Sequence, residues 1–174
     1  MSFGLHRRAF LKGLGFLSAF GLALPLLGCQ HEKFDKGLAV ALGGPKGELA
    51  FIPDRLRIKP RDTVTWVLQS AGHTATAYHP ATNNAFPLRI PEGAAPFDSP
   101  LLFEQGKTFQ WTFEQEGVYN YYCRPHEGSG MVGIVVVGNS LDGPGLALPQ
   151  PELSKAAQNK LAELIAWAKK LPKV

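Results

Sequence analysis

The stretch Tyr121-Tyr122-Cys123-Arg124-Pro125-His126-Glu127-Gly128-Ser129-Gly130-Met131 runs straight into Val132 to Val137. A thiol, an imidazole and a thioether fall within nine residues, at the junction of two strand-like segments. A thiolate with imidazoles and a weak axial thioether suits a redox-cycling copper ion, because this soft set is tolerated in both oxidation states. Pro125 stiffens the loop, while Gly128 and Gly130 let it curl so that His126 and Met131 face one point. The dense β-branched run that follows suits a central strand.

Upstream, the same short-strand rhythm reaches back to about Gly37. Residues 38–42 end at the turn signal Gly43-Gly44-Pro45, and 48–53 lead into 56–59. Pro60-Arg61-Asp62 turns the chain into residues 63–68, whose period of two puts Val64, Trp66 and Leu68 on one face. Phe109, Trp111 and Phe113 share a face in the same way, and Gly117 opens the Tyr-rich strand before Cys123. Short strands at regular spacing with no helical pattern among them predict an all-β Greek-key sandwich or barrel. Arg55, Arg57, Lys59 and Arg61 alternate with apolar residues and read as the solvated face of a strand.

Residues 77–104 break the rhythm. They are rich in Pro and Asn, too long for an ordinary loop, and read as an excursion with one short helix. Beyond Gly138 the stretch 139–150 is a linker, and 151–171 forms an α-helix with Leu153, Ala157, Leu161, Leu164, Ala168 and Leu171 at helical spacing. That helix either packs on the domain or docks a partner or membrane surface.

The fourth ligand should come from a neighbouring strand end. His73 is well placed, just past the 63–68 strand and the Gly72 turn. His73, Cys123 and His126 then make a trigonal set, with Met131 as the long axial ligand. His79 lies an even number of residues from His73, so in an extended strand both side chains face the same way. It is a rival or accessory ligand, or a residue near the mouth of the site.

Residues 1–29 are an address. Arg7 and Arg8 precede Phe10-Leu11-Lys12, and an apolar run from Leu14 to Leu27 follows. This resembles a twin-arginine export signal. Leu26-Leu27-Gly28-Cys29 looks like a lipoprotein cleavage box with Cys29 lipidated; the other readings are an uncleaved anchor or an ordinary thiol. The run is short beside the ~20 residues a spanning helix needs. Residues 30–138 remain as the main domain. Cys123 is then alone outside the cytoplasm, where cysteines normally pair, and a metal accounts for that. Losing Arg7, Arg8 and Lys12 leaves 15 Lys and Arg against 14 Asp and Glu, so the basic whole-chain balance is no argument for nucleic acid.

The C-x2-H-x4-M spacing, the Tyr-rich strand before it and Gly130-Met131-Val132-Gly133 resemble the plastocyanin family of small blue copper proteins, including pseudoazurins and halocyanins. The resemblance covers about Gly37 to Gly138. It implies a cupredoxin fold holding one type 1 copper and one-electron transfer without substrate turnover. It also implies an imidazole at the solvent edge, matching His126, through which the electron leaves, and an apolar patch for redox partners such as a cytochrome or copper enzyme. A periplasmic or cell-surface monomer, tethered by lipid, is the expected form. The family commonly has Asn after its first histidine; here Thr74 stands there, so the tie between the two ligand loops should come from elsewhere. An oxidase or nitrite reductase fragment is the enzymatic alternative, but only His31, His73, His79 and His126 follow the signal, too few for a trinuclear cluster. An electron-donating subunit and a non-redox copper carrier are the remaining alternatives.

Overall fold

The apolar alternations become β1 (Ala39–Leu42), β2 (Phe51–Ile52), β3 (Arg55–Ile58), β4 (Thr63–Leu68), β5 (Thr76–Ala77), β6 (Thr108–Thr112), β7 (Gly117–Tyr122) and β8 (Val132–Val137), followed by α1 (Lys155–Ala168). They are seen in a computed structural model that describes Met1 and residues 38–172. Arg7, Arg8 and Cys29, with the expected export segment, lie outside the described residues. One sheet has the order β2-β1-β4-β6 and the other β3-β8-β7-β5. Each contains one parallel pair, β1 with β4 and β3 with β8, among antiparallel neighbours. Parallel partners cannot be joined by a hairpin, so the chain crosses between the sheets. This is the cupredoxin β-sandwich with an added C-terminal helix.

Trp66 stands at the centre of the core between the sheets, with Phe97 at 5.2 Å and Tyr121 at 5.5 Å between ring centroids. Val64, Trp66 and Leu68 are all buried, as their alternation predicts. β8 is apolar throughout because both of its faces are covered. Val135 and Val137 face the inter-sheet core, whereas Val132, Ile134 and Val136 face a second core shared with α1.

α1 packs on the domain, the first of the two readings. Ala157, Leu161, Leu164, Ile165 and Ala168 are buried in that second core. Full burial of each Leu or Ile contributes about 1.5–3 kcal/mol. The helix lies within the 151–171 expected for it and begins where Ser154 caps it, Oγ accepting the Ala157 N–H at 3.1 Å. Two of the basic residues expected to be solvated reach this C-terminal segment instead. Arg55 pairs with Glu163 on α1 and lies over the Trp167 ring. Arg57 donates to the Pro172 carbonyl at 2.8 Å.

Residues 77–104 contain no helix, contrary to expectation. Pro80, Pro87, Pro91, Pro96 and Pro100 interrupt every stretch long enough to hold one. The segment instead lies along the β5–β7 edge, with Ala77 N–H donating to Phe97 O, Arg89 N–H to Tyr78 O and Asn120 N–H to Arg89 O. The Arg89 side chain is wholly buried. Its guanidinium donates to Asn120 Oδ1, Gln150 Oε1 and the carbonyls of Ala147 and Leu148, fastening the linker to the sandwich. Burial pushes its pKa down to about 10, where the cation still persists at neutral pH.

Candidate metal centre

Cys123 follows the last residue of β7 and is fully buried. Residues Arg124–Ser129 form a 3-10 helix with Pro125 in its first turn, where the missing N–H costs nothing. Gly130 closes it at φ 83°, a left-handed conformation that favours glycine. The loop is bonded across its own mouth. Cys123 N–H donates to Met131 O at 3.0 Å, and Met131 N–H donates to His126 O at 3.1 Å. Met131 is buried in the same core as Cys123, immediately before β8.

His73 lies on the segment that leaves β4 and enters β5, held by paired backbone bonds with Leu102. Its Nδ1 is 3.5 Å from Cys123 Sγ and 3.0 Å from His126 Nδ1, while His126 Nδ1 is 3.4 Å from the same sulfur. One donor atom from each of the three residues therefore falls within 4.8 Å of the others. His73 Nε2 lies 3.2 Å from Ser70 Oγ. The tautomer that donates from Nε2 to this hydroxyl leaves the Nδ1 lone pair facing the site.

The electrostatics fit a soft cation. Burial holds the His73 pKa below its ordinary value, helped by the charge His126 would carry. Burial pushes the Cys123 thiol up, opposed by hydrogen bonds that include the Thr74 N–H at 3.4 Å from the sulfur. The pocket thus favours neutral imidazole at His73 and resists a bare thiolate, so a metal bound here would displace the thiol proton to solvent. Two imidazoles and a thiol converging on one point match the donor chemistry of copper.

Thr74 corrects one expectation. Its hydroxyl accepts the Arg124 N–H at 2.9 Å, so it supplies the tie expected from elsewhere. A hydroxyl offers two acceptor lone pairs, enough to replace an amide oxygen here. Thr76 Oγ1 stands 3.1 Å from Thr74 Oγ1 and 2.9 Å from Asp98 Oδ1, carrying the network into the excursion. Asp98 also pairs with the Arg124 guanidinium at 2.9 Å. His79 is not brought to the three converging groups; its Nδ1 accepts the Ala81 N–H in a local turn. Ser70, Thr76, Asp98 and Glu127 were not foreseen. Of these Ser70, three residues before His73, and Glu127, next to His126, lie close in sequence to a candidate ligand, whereas Asp98 does not.

Comparison with known proteins agrees with this geometry. The profile of the copper binding proteins, plastocyanin/azurin family, matches residues 38–138. Plastocyanin of Nostoc punctiforme is 37% identical over 101 residues, covering 56% of this chain and 71% of the relative. Chloroplastic plastocyanin of Fritillaria agrestis is 32% identical, covering 74% and 78%. Among solved structures, pseudoazurin from Methylobacterium extorquens superposes with a TM-score of 0.55 at 29% identity, covering 75% of this chain and 97% of its own. Pseudoazurin from Hyphomicrobium denitrificans gives 0.57 at 26%, covering 77% and 98%. A match across more than half of the chain, centred on the sandwich that brings His73, Cys123 and His126 together, makes this chain a member of the plastocyanin/azurin family of copper binding proteins, a family of copper-based electron transfer.

Proposed function

We propose that the chain is a one-electron carrier and catalyses no reaction of its own. One type 1 copper ion would be held by His73, Cys123 and His126, with Met131 as the weak axial ligand. The convergence of the two imidazole Nδ1 atoms with the Cys123 sulfur carries this reading. A copper ion in such a set supplies a Cu(II)/Cu(I) couple. The protein's own share is to keep its donors in place in both states. Ser70 orients His73, Thr74 fastens the two ligand loops together, and burial of Cys123 and Met131 excludes water. His126 alone of the three is only partly buried, and it is the edge through which electrons pass to and from redox proteins such as a cytochrome or a copper enzyme.

The working site is outside the cytoplasm, periplasmic or at the cell surface. Arg7, Arg8 and the following apolar run support export, and Leu26-Leu27-Gly28-Cys29 supports a lipid tether on Cys29. The domain organisation that goes with this is a signal at 1–29, the copper domain at 30–138, a linker at 139–150 and the helical segment at 151–171.

Absorption and paramagnetic-resonance spectra of the copper-loaded protein test the reading. An intense visible thiolate-to-copper band is expected, abolished by Cys123→Ala. Met131→Leu should shift the reduction potential and leave copper bound. Copper-saturated protein without the band would overturn the assignment.

A further inference from the structure

We propose that Glu127 and Ser154 form a clasp through which the first turn of α1 positions the ligand loop; this rests on the reading of Cys123, His126 and Met131 as ligands. Glu127 follows His126 directly and is only 8% exposed, although Gly128 and Ser129 beside it are exposed. Glutamate is rarely this buried without partners. Here Oε1 accepts the Ser154 N–H at 3.2 Å and the Tyr78 hydroxyl at 3.5 Å. The Glu127 carbonyl accepts the Ser154 hydroxyl at 3.0 Å and the Gly130 N–H at 2.8 Å.

Ser154 therefore does two things with one hydroxyl: it donates to the ligand loop and accepts from Ala157 at the start of α1. Helix and loop become one hydrogen-bonded unit. Tyr78 brings the 77–104 excursion to the same carboxylate, so three segments distant in sequence meet on one side chain. Steric fit adds to this. A Cβ on Gly130 would stand 3.2 Å from the Ala156 carbonyl oxygen, so the helix's first turn is seated against the end of the loop.

The loop has little slack to absorb a displacement of Glu127. Gly130 is bonded to Glu127, and Met131 is bonded to His126, within a single 3-10 helix and its cap. A shift at Glu127 is passed to the ligands on either side of it. The C-terminal segment is thus a positioning element for the site as well as a cover for the outer face of β8. Glu127 and Ser154 are positioning residues, since neither is among the donors that converge.

The test uses the full chain with Ser154→Ala, Glu127→Ala and Glu127→Gln, and Leu164→Ala as a variant that weakens α1 away from the clasp. In metal-free protein, amide exchange at Gly130 and Met131 should rise about tenfold in Ser154→Ala, the effect of losing about one hydrogen bond, while β8 amides keep their rates. Glu127→Gln retains an acceptor for Ser154 and should exchange more slowly than Glu127→Ala. In copper-loaded protein, Ser154→Ala should shift the reduction potential and the copper hyperfine splitting, whereas Leu164→Ala should lower stability and move neither. Unchanged loop exchange in Ser154→Ala, or exchange raised equally in β8, overturns the clasp. So does a wild-type potential and hyperfine splitting in that variant. A wild-type protein that binds copper without the thiolate band overturns the ligand assignment instead, and the exchange of the metal-free loop still decides whether the clasp exists.

Discussion

The hydroxyl of Thr74 accepts the backbone N–H of Arg124 at 2.9 Å, so the residue after His73 is fastened to the residue after Cys123. Two loops that each carry a candidate ligand are joined at the residue next to each ligand. Thr74→Val keeps the shape and removes the acceptor, leaving the Arg124 N–H unpaired. The expected loss is about 1–3 kcal/mol of stability in the metal-free protein, read by urea unfolding. Thr74→Asn restores an acceptor and should recover most of it.

Gly43 leaves room for the His73 ring and its anchor. A Cβ there would stand 2.1 Å from Ser70 Oγ and 2.6 Å from His73 Nε2, and φ is already 73°. Gly43→Ala must push aside the Ser70 hydroxyl or the imidazole. Copper affinity should fall about 10- to 100-fold, the scale seen when a ligand's supporting partner is lost. Competition against a chelator measures it, and unchanged affinity would show that Ser70 does not orient His73.

Arg89 is a buried cation whose hydrogen-bond partners are amide oxygens and carbonyls rather than a carboxylate. Arg89→Ala leaves a cavity and strands the acceptors of the linker. A loss of about 3 kcal/mol or more is expected, since several buried neutral acceptors lose their donor at about 1–3 kcal/mol each. Arg89→Lys should not rescue it, because an ammonium cannot span acceptors spread around a planar fork. Denaturant midpoints of the two variants check both statements.

Acid should loosen the attachment of α1. Burial pushes Asp54 up, but hydrogen bonds and charge from Arg55 and Lys160 outweigh this and hold it below its ordinary 3.8. Hydrogen bonds from the same two residues hold the exposed Glu163 below its ordinary 4.5. A carboxylate whose folded pKa is depressed stabilises the fold above its unfolded pKa, and that contribution is lost as pH falls through the folded value. Stability of the metal-free protein should therefore drop below about pH 4 by about 1 kcal/mol, the solvent-screened worth of such a network. Asp54→Asn should flatten that part of the curve.

Strands and the ligand loop were legible because their cues are local: the alternation of Val64, Trp66 and Leu68, and the close spacing of Cys123, His126 and Met131. His73 could be placed because it follows a clear strand. The ties around the site were not legible. Arg124 meets Thr74 across 50 positions and Ser154 meets Glu127 across 27, distances over which sequence carries no period. The helix expected between 77 and 104 failed for a related reason. Its apolar residues, Ile90 and Phe97 among them, are spaced to meet a core built by other strands and follow no helical repeat.

His73 and Cys123 are buried, and His126 is the one of the three converging side chains that reaches the surface. If electrons pass through His126, as proposed above, donor and acceptor would arrive at the same small area and exclude each other. On that reading no ternary complex would form there, and two partners would take turns, with kinetics of the ping-pong kind. Such a carrier works only if each encounter is brief, because a partner that lingers blocks the next. Tight binding at this face would make it slower.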